Sequence, residues 1–462
     1  MIRKKDTVCD LKIAYIGGGS RGWAWTLMKD LANSRLSGQV ALYDIDLEAA
    51  QDNAVIGNRI NIEYPETAKW TYTACEKLSE ALTGADFVVI SILPGTFQEM
   101  RVDVHAPEKY GIYQPVGDTI GPGGVIRSLR TIPMFEEIAR AVRDYCPDAW
   151  VINYTNPMSV CVRTLYETFP GIKAFGCCHE VFNTQRLICR ALEEIEGIAN
   201  VDRRDIRVEV TGVNHFTWLT EASYGKMDAV PIYRAYAKKH WEDAAGVAGD
   251  DNWMNSVFAT RQFVKFDLFL RYGYIAAAGD RHLAEFCPPA WYTKDPDAVH
   301  DWGFNLTSVD WRENDLQDRL AKSRRLKTGE EKLTLEASGE EGVRQMEAIL
   351  GLGDLVTNVN LPNMGQIPSL PRGTVVETNA IFAADSVKPV LTAKLPESLF
   401  GLIAPIVAVQ DLTMQAGRER SLERAFQAFL ADPHVQSLSL KDAKALFGEM
   451  VEGTKEYLTQ YK

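Results

Sequence analysis

What this 462-residue chain lacks removes several classes of function. It has no excess of positive charge: Lys and Arg total 50 against 62 Asp and Glu, for a formal net charge of -12. A phosphate-tracking surface needs the opposite balance, so nucleic acid is not expected as a partner. No apolar run approaches the roughly 20 residues of a membrane helix, so no membrane span is expected. The basic opening, Met1 to Lys12, has no apolar stretch behind it and does not read as a signal peptide. Eight cysteines give no disulfide framework, Cys177 and Cys178 are adjacent, and no CxxC or HxxxH spacing supplies a closed metal site. No repeat or low-complexity tract stands out. What is present, 46% hydrophobic and 24% charged residues, is ordinary for globular chains of two or three domains. The composition reads as a reduced, soluble, cytoplasmic enzyme.

The first half carries signals for a dinucleotide. The apolar run Lys12 to Ile16 meets Gly17, Gly19 and Gly22 at G-x-G-x-x-G spacing, with Ser20 inside the loop and a helical pattern after it. In such a loop Gly17 permits the tight turn, Gly19 lets backbone approach a pyrophosphate, and Gly22 allows helix and strand to pack closely. A second apolar run ends at Asp44, where a carboxylate accepts from both ribose hydroxyls and repels a 2′-phosphate, favouring NAD over NADP. A helix over Leu47 to Ile62, a strand near Trp70 to Thr73 and the apolar Phe87 to Ile92 continue the alternation of a parallel, doubly wound sheet. Arg101 to Tyr110 reads as an exposed helix.

Polar groups then gather where strands should end. Gly117 to Gly124 is a glycine-dense loop before an amphipathic helix, a close-approach element that puts Asp118, with Arg127 and Arg130 near the helix start, toward a crevice. Asn153 lies at the end of an apolar run, where its amide can hold sugar hydroxyls or the cofactor amide, and Asn156 before Pro157 reads as a helix N-cap. Cys178, His179 and Glu180 follow another short apolar run, and Asn214-His215 closes an alternating one. One thiolate and one imidazole make a half-filled site for a divalent metal, with positions open for substrate oxygens.

Together these motifs resemble glycoside hydrolase family 4: Gly17 to Ser20, Gly121 to Gly124, Asn153 to Pro157, Cys178 to Val181, Gly212 to Phe216 and Val359 to Pro371. The Cys-His-Glu-Val order at Cys178 is most similar to the branch acting on α-linked uronic acids, galacturonides or glucuronides. The resemblance implies NAD and Mn2+ as cofactors, and lies outside the paired-carboxylate mechanisms of most glycosidases. It implies oxidation at sugar carbon 3, proton removal at carbon 2, elimination of the aglycone, water addition and return of the hydride. Cys178 and His215 match the family's metal ligands. Asp280 is the expected base, with Tyr274 a weaker choice, and Asp118 the expected acid. Asn153, His179, Glu180 and Asn214 are expected to contact substrate, and Arg281 or Arg127 to meet a uronate carboxylate. Family members are commonly homodimers or homotetramers.

The expected architecture is an α/β fold like lactate and malate dehydrogenases. A Rossmann-type domain over residues 1–200 precedes a mixed α+β substrate, metal and oligomerisation domain over 201–462, whose terminal helix packs back on the first. Pro231 to Glu242, Met254 to Arg271 and Leu399 to Leu430 read as helices. Arg312 to Gln345 reads as a solvated charged helix or lid, and Val359 to Ala380 as turn-rich, with Asn360, Asn363, Arg372 and Asn379 as pocket residues. The expected activity is α-galacturonidase, with an α-glucuronidase or a neutral α-glucosidase or α-galactosidase as alternatives. A hydroxyacid-type NAD dehydrogenase accounts for Gly17 to Asp44 but not for the Cys-His pair. A non-catalytic sugar or nucleotide sensor needs no base.

Overall fold

A computed structural model describes residues 1–243 and 260–462. The glycine loop follows the central strand, Thr7–Ile16, of a parallel sheet. Leu36–Tyr43 and Trp70–Cys75 lie on one side of it; Phe87–Ile90, Trp150–Asn153 and Lys173–Gly176 lie on the other. Numbered along the chain, these six strands run 3-2-1-4-5-6 across the sheet, the doubly wound dehydrogenase order. The order reverses between Thr7–Ile16 and Phe87–Ile90, and such a switch point opens a crevice at the strands' C-terminal ends. Every residue of Phe87–Ile90 is buried, as helices on both faces require.

The segment expected to be turn-rich instead forms two strands, Leu355–Pro362 and Val375–Ala383, paired antiparallel from Leu355↔Phe382 to Pro362↔Val375. With Ser386–Pro389 they extend the first sheet beyond Lys173–Gly176, so residues past 200 complete the sheet begun by the first 200. The turn-forming residues are confined to the connection between the two strands. There the Asn363 amide donates to the carbonyls of Ile367, Leu370 and Pro371, which explains its burial without a ligand. A second, antiparallel sheet contains Ile206–Val213, Phe216–Tyr224, Met227–Asp228 and Ile275–Ala276.

Helix Val230–Glu242 forms as expected. Helix Phe263–Tyr272 covers the later part of the pattern that began at Met254; residues 254–259 lie outside the described residues. The pattern from Leu399 to Leu430 divides into Glu397–Glu419 and Leu422–Ala431, because Arg420 turns left-handed at φ +53° and Ser421 caps the second helix. The first of these is, by length and composition, apolar enough to span a membrane, contrary to expectation. Its Leu399, Ile403 and Ile406 instead share a buried cluster with Phe216 and Trp218 of the second sheet. Helix Phe97–His105, expected to be exposed, buries Met100, Asp103 and Val104. The charged stretch becomes helix Val309–Thr328, clamped at its start by Arg101, which pairs with Asp310 at 2.7 Å and Glu313 at 3.1 Å.

The two sheets meet at a buried carboxylate. Glu377, on Val375–Ala383, accepts from Asn214 at 3.2 Å and from Asn358 at 2.7 Å, and Asn358 also donates to the Cys178 carbonyl at 3.0 Å. Removing the acid strands two buried amides, which costs about 1–3 kcal/mol each. Glu377→Ala should therefore destabilise the protein by about 3 kcal/mol, read as a lower midpoint in urea unfolding.

Candidate active site

The glycine loop is built for close approach. Gly17 and Gly18 both donate to the Tyr43 carbonyl at 2.9 Å, and Asn53 donates to the carbonyls of Gly18 and Ser20 at 2.8 and 3.0 Å. Gly17 sits at φ +92°, and a Cβ there would fall 2.0 Å from the Ser91 carbonyl oxygen, so no other residue fits. Gly22 ends the loop and helix Trp23–Ala32 begins, offering its first-turn N–H groups. Asp44 accepts from Gly19 N–H at 2.8 Å and remains half-buried at the strand end. This cradle and carboxylate fit a dinucleotide. Asn153 does not serve it as expected. Its amide donates to the Thr155 carbonyl at 2.9 Å and accepts from Thr155 N–H at 3.1 Å, and the residue is fully buried. It shapes the turn before the cis Asn156–Pro157 peptide.

A cavity of about 210 Å³ gathers Asp118, Cys178, His179, Glu180, His215 and Arg281. Asn156 also lines it, placed 3.4 Å from Asp118, while helix Met158–Thr168 starts after Pro157 rather than at an Asn156 cap. Asn214 and Asp280 lie behind the wall, fully buried. Tyr274, the weaker choice of base, packs against the apolar cluster around Phe216. Among the pocket residues expected near the C-terminus, Asn360 is buried and Asn379 donates to the Val208 carbonyl at 2.6 Å. Neither they nor Asn363 and Arg372 line this cavity.

His215 occupies the tight turn between Ile206–Val213 and Phe216–Tyr224 at φ +63°, a conformation a non-glycine residue adopts at a cost of about 1 kcal/mol or more. Burial, with His282 packed against its ring at 3.8 Å, drops its pKa to about 3, leaving a neutral imidazole. Its Nδ1 lies 3.1 Å from the Thr119 hydroxyl, which donates to Asp118 at 2.7 Å. With that hydroxyl's proton directed at Asp118, Nδ1 must be the donor to Thr119, and Nε2 keeps its lone pair for a metal. Cys178 is a thiol here: burial, reinforced by Glu377 and Glu180, holds its pKa well above the usual range. A metal would displace its proton. No set of three or more His, Cys, Asp or Glu among the described residues is arranged to hold an ion. The donor set thus fits an open, half-filled centre completed by substrate oxygens.

The remaining groups divide by charge. Burial would raise Asp118, but the Arg127 guanidinium above all and the Thr119 hydrogen bond bring it down to about 2, so it is ionised and cannot start as the expected acid. His179 is the reverse. Burial would neutralise it, yet Glu340 at 3.2 Å raises it to about 9. Glu180 accepts from Gly279 N–H at 2.6 Å, and against burial His282 and His179 hold it down to about 2. Asp280 accepts from Lys265 N–H at 3.1 Å and its second oxygen has no partner; burial raises it to about 6. Arg281 donates to the Pro115 carbonyl at 2.6 Å and to Thr307, which fixes its guanidinium on the loop before Asp118. Sequence reasoning missed His282, Lys265, Glu340 and Arg312. His282 lies two residues beyond Asp280 and Lys265 on the helix just before it, while Glu340 and Arg312 stand apart from any motif.

The chain matches the family models described as family 4 glycosyl hydrolase over residues 12–194 and its C-terminal domain over 210–435. It belongs to glycosyl hydrolase family 4. It is 60% identical to an alpha-galacturonidase of Thermoanaerobacterium saccharolyticum, across 98% of both chains. A crystal structure of the Bacillus subtilis protein LplD, described as a glucosidase, superposes with a TM-score of 0.90 at 51% identity, covering 96% of this chain and 99% of that one. A 6-phospho-alpha-glucosidase from gut microorganisms, solved with NAD and Mn2+, shares the fold at a TM-score of 0.81 and 21% identity, over 98% of this chain and all of that one.

Two outcomes follow from the hydrogen bonds around Asp118. Thr119→Val removes the hydroxyl that orients His215 and should weaken manganese binding about 10- to 100-fold, measured by metal titration of the protein with dinucleotide present. Glu285 holds the same loop by accepting from Val116 and Gly117 N–H at 2.6 and 2.8 Å, and burial raises its pKa from 4.5 to about 8. Folded Glu285 keeps a proton that the unfolded chain releases above 4.5, so its contribution to stability falls as pH rises from 4.5 toward about 8. Glu285→Gln should flatten that part of the pH dependence in thermal unfolding.

Proposed function

We propose that the protein is an NAD- and manganese-dependent α-galacturonidase, releasing galacturonic acid from small α-linked uronides. The observation that carries this reading is the 60% identity, over 98% of both chains, to an enzyme named alpha-galacturonidase. The relative solved with NAD and Mn2+ supports the cofactors, as do the glycine cradle and the Cys178–His215 donor pair.

When bound, the nicotinamide supplies a hydride acceptor and donor, and the metal supplies Lewis acidity beside the sugar hydroxyls. The chain's own residues supply position and protons. Gly17, Gly19, Ser20, Gly22 and Asp44 hold the dinucleotide; Cys178 and His215 hold the metal. Asp280, held directly behind the cavity-lining Gly279 and Arg281, is assigned as the base reached through that wall, because a carboxyl near 6 is ionised at neutral pH yet basic enough to take a proton. Protonated His179, maintained by Glu340, takes the role of acid first expected of Asp118. Ionised Asp118 instead orients His215 through Thr119. Glu180 and Arg281 frame the sugar from the cavity wall.

Hydrolysis of an α-galacturonide should require NAD, manganese and a thiol reductant together, without net NADH accumulation. Turnover that survives removal of both cofactors would overturn the reading, and accumulation of NADH would favour a dehydrogenase. Cys178→Ser should abolish metal-dependent turnover while dinucleotide affinity, followed by fluorescence titration, stays near wild type.

A further inference from the structure

We infer that Arg312 is the specificity-determining residue that receives the carboxylate at carbon 6 of the uronide. The inference rests on the α-galacturonidase reading above. Four arginine and lysine side chains, Arg190, Lys265, Arg281 and Arg312, line the cavity with protonated His179, which Glu340 pairs, against two carboxylates, Asp118 and Glu180. Such an excess in a desolvated space favours an anionic ligand.

Only one of these cations is open to that ligand. Lys265 donates to the Thr184 hydroxyl at 3.0 Å, Arg281 is tied to Pro115 and Thr307, and Arg190 is also engaged. Arg127, one of the two arginines expected from sequence to meet a uronate, is not on the wall; it donates to the Asn156 carbonyl at 3.2 Å. Among the described residues, the Arg312 guanidinium makes no hydrogen bond or ion pair, and its Nε is buried without a partner. The acids around it are otherwise committed: Asp315 pairs with Arg319 at 2.6 Å, Asp118 accepts from Thr119, and Glu285 accepts the Val116 and Gly117 N–H groups.

Its backbone is held in place. Val309 N–H donates to His105 at 3.1 Å, Trp311 N–H to Ser308 at 3.2 Å, and Arg101 clamps Asp310 and Glu313 on either side of Arg312. A guanidinium on a fixed helical turn offers paired N–H groups in the geometry a carboxylate accepts, and little ordering remains to be done on binding.

The test compares p-nitrophenyl α-D-galacturonide with its 6-methyl ester, which keeps the shape of the sugar and removes its charge. Both are assayed with NAD and manganese in the wild type, Arg312→Met and Arg312→Gln, the second variant retaining a polar side chain if the first folds poorly. In wild type kcat/KM should favour the acid. In either variant that preference should fall about 10- to 100-fold, the range for a hydrogen bond to a charged group, with Arg312→Lys recovering part of it. A variant that loses both substrates in equal proportion, or neither, overturns the role of Arg312 and leaves the activity standing. A wild type inactive on the acid overturns the α-galacturonidase reading and this inference together.

Discussion

The Glu377 carboxylate is the constraint from which the geometry of the site follows. A buried carboxylate is costly unless its oxygens accept hydrogen bonds, and here both do, from Asn214 and Asn358. Asn214 is the residue before His215, and Asn358 holds the carbonyl of Cys178. One acid on the extended part of the first sheet therefore sets the distance between the two segments that carry Cys178 and His215. Neither half of the chain could build that arrangement alone, because strand Val375–Ala383 belongs to the first sheet while His215 stands on the second.

Desolvation acts on every ionisable group in the cavity, and the partner of each decides the result. His215 and His179 share one cavity wall, yet one is neutral and the other charged, because His215 faces another imidazole and His179 faces Glu340. Asp118 and Glu285 diverge for the same reason: at Asp118 burial is outweighed by Arg127 and the Thr119 hydrogen bond, whereas at Glu285 the Val116 and Gly117 N–H groups and Arg281 do not offset burial and the nearby Asp118. A single low-dielectric space thus holds donor and acceptor groups at one pH, which acid–base chemistry on a sugar ring requires.

The parts of this protein legible in its sequence are those in which chemistry is local. A strand, a glycine turn, a helix and an acid at the next strand end specify a dinucleotide cradle within a few dozen residues, and the fold places them as read. Cys178 and His215 were legible because each closes a strand of its own. Asn153 looked like a ligand for the same reason, but its amide was already needed by the turn that follows it. Asp118 was recognisable as a site residue and misread in its charge, since Arg127, Thr119 and His215 come together only in three dimensions.

From the order of its motifs the sequence by itself determined the doubly wound sheet, the glycine cradle, the family and the Cys178 and His215 pair that the fold brings to one cavity. The tertiary structure alone decided protonation states and which side chains line the cavity. These depend on burial and on neighbours distant in the chain: Glu340 beside His179, Glu285 beneath the Asp118 loop, and Arg312 brought from a charged stretch that reads as solvated surface. Periodicity and motif spacing record which face of an element is buried, but not which element covers it.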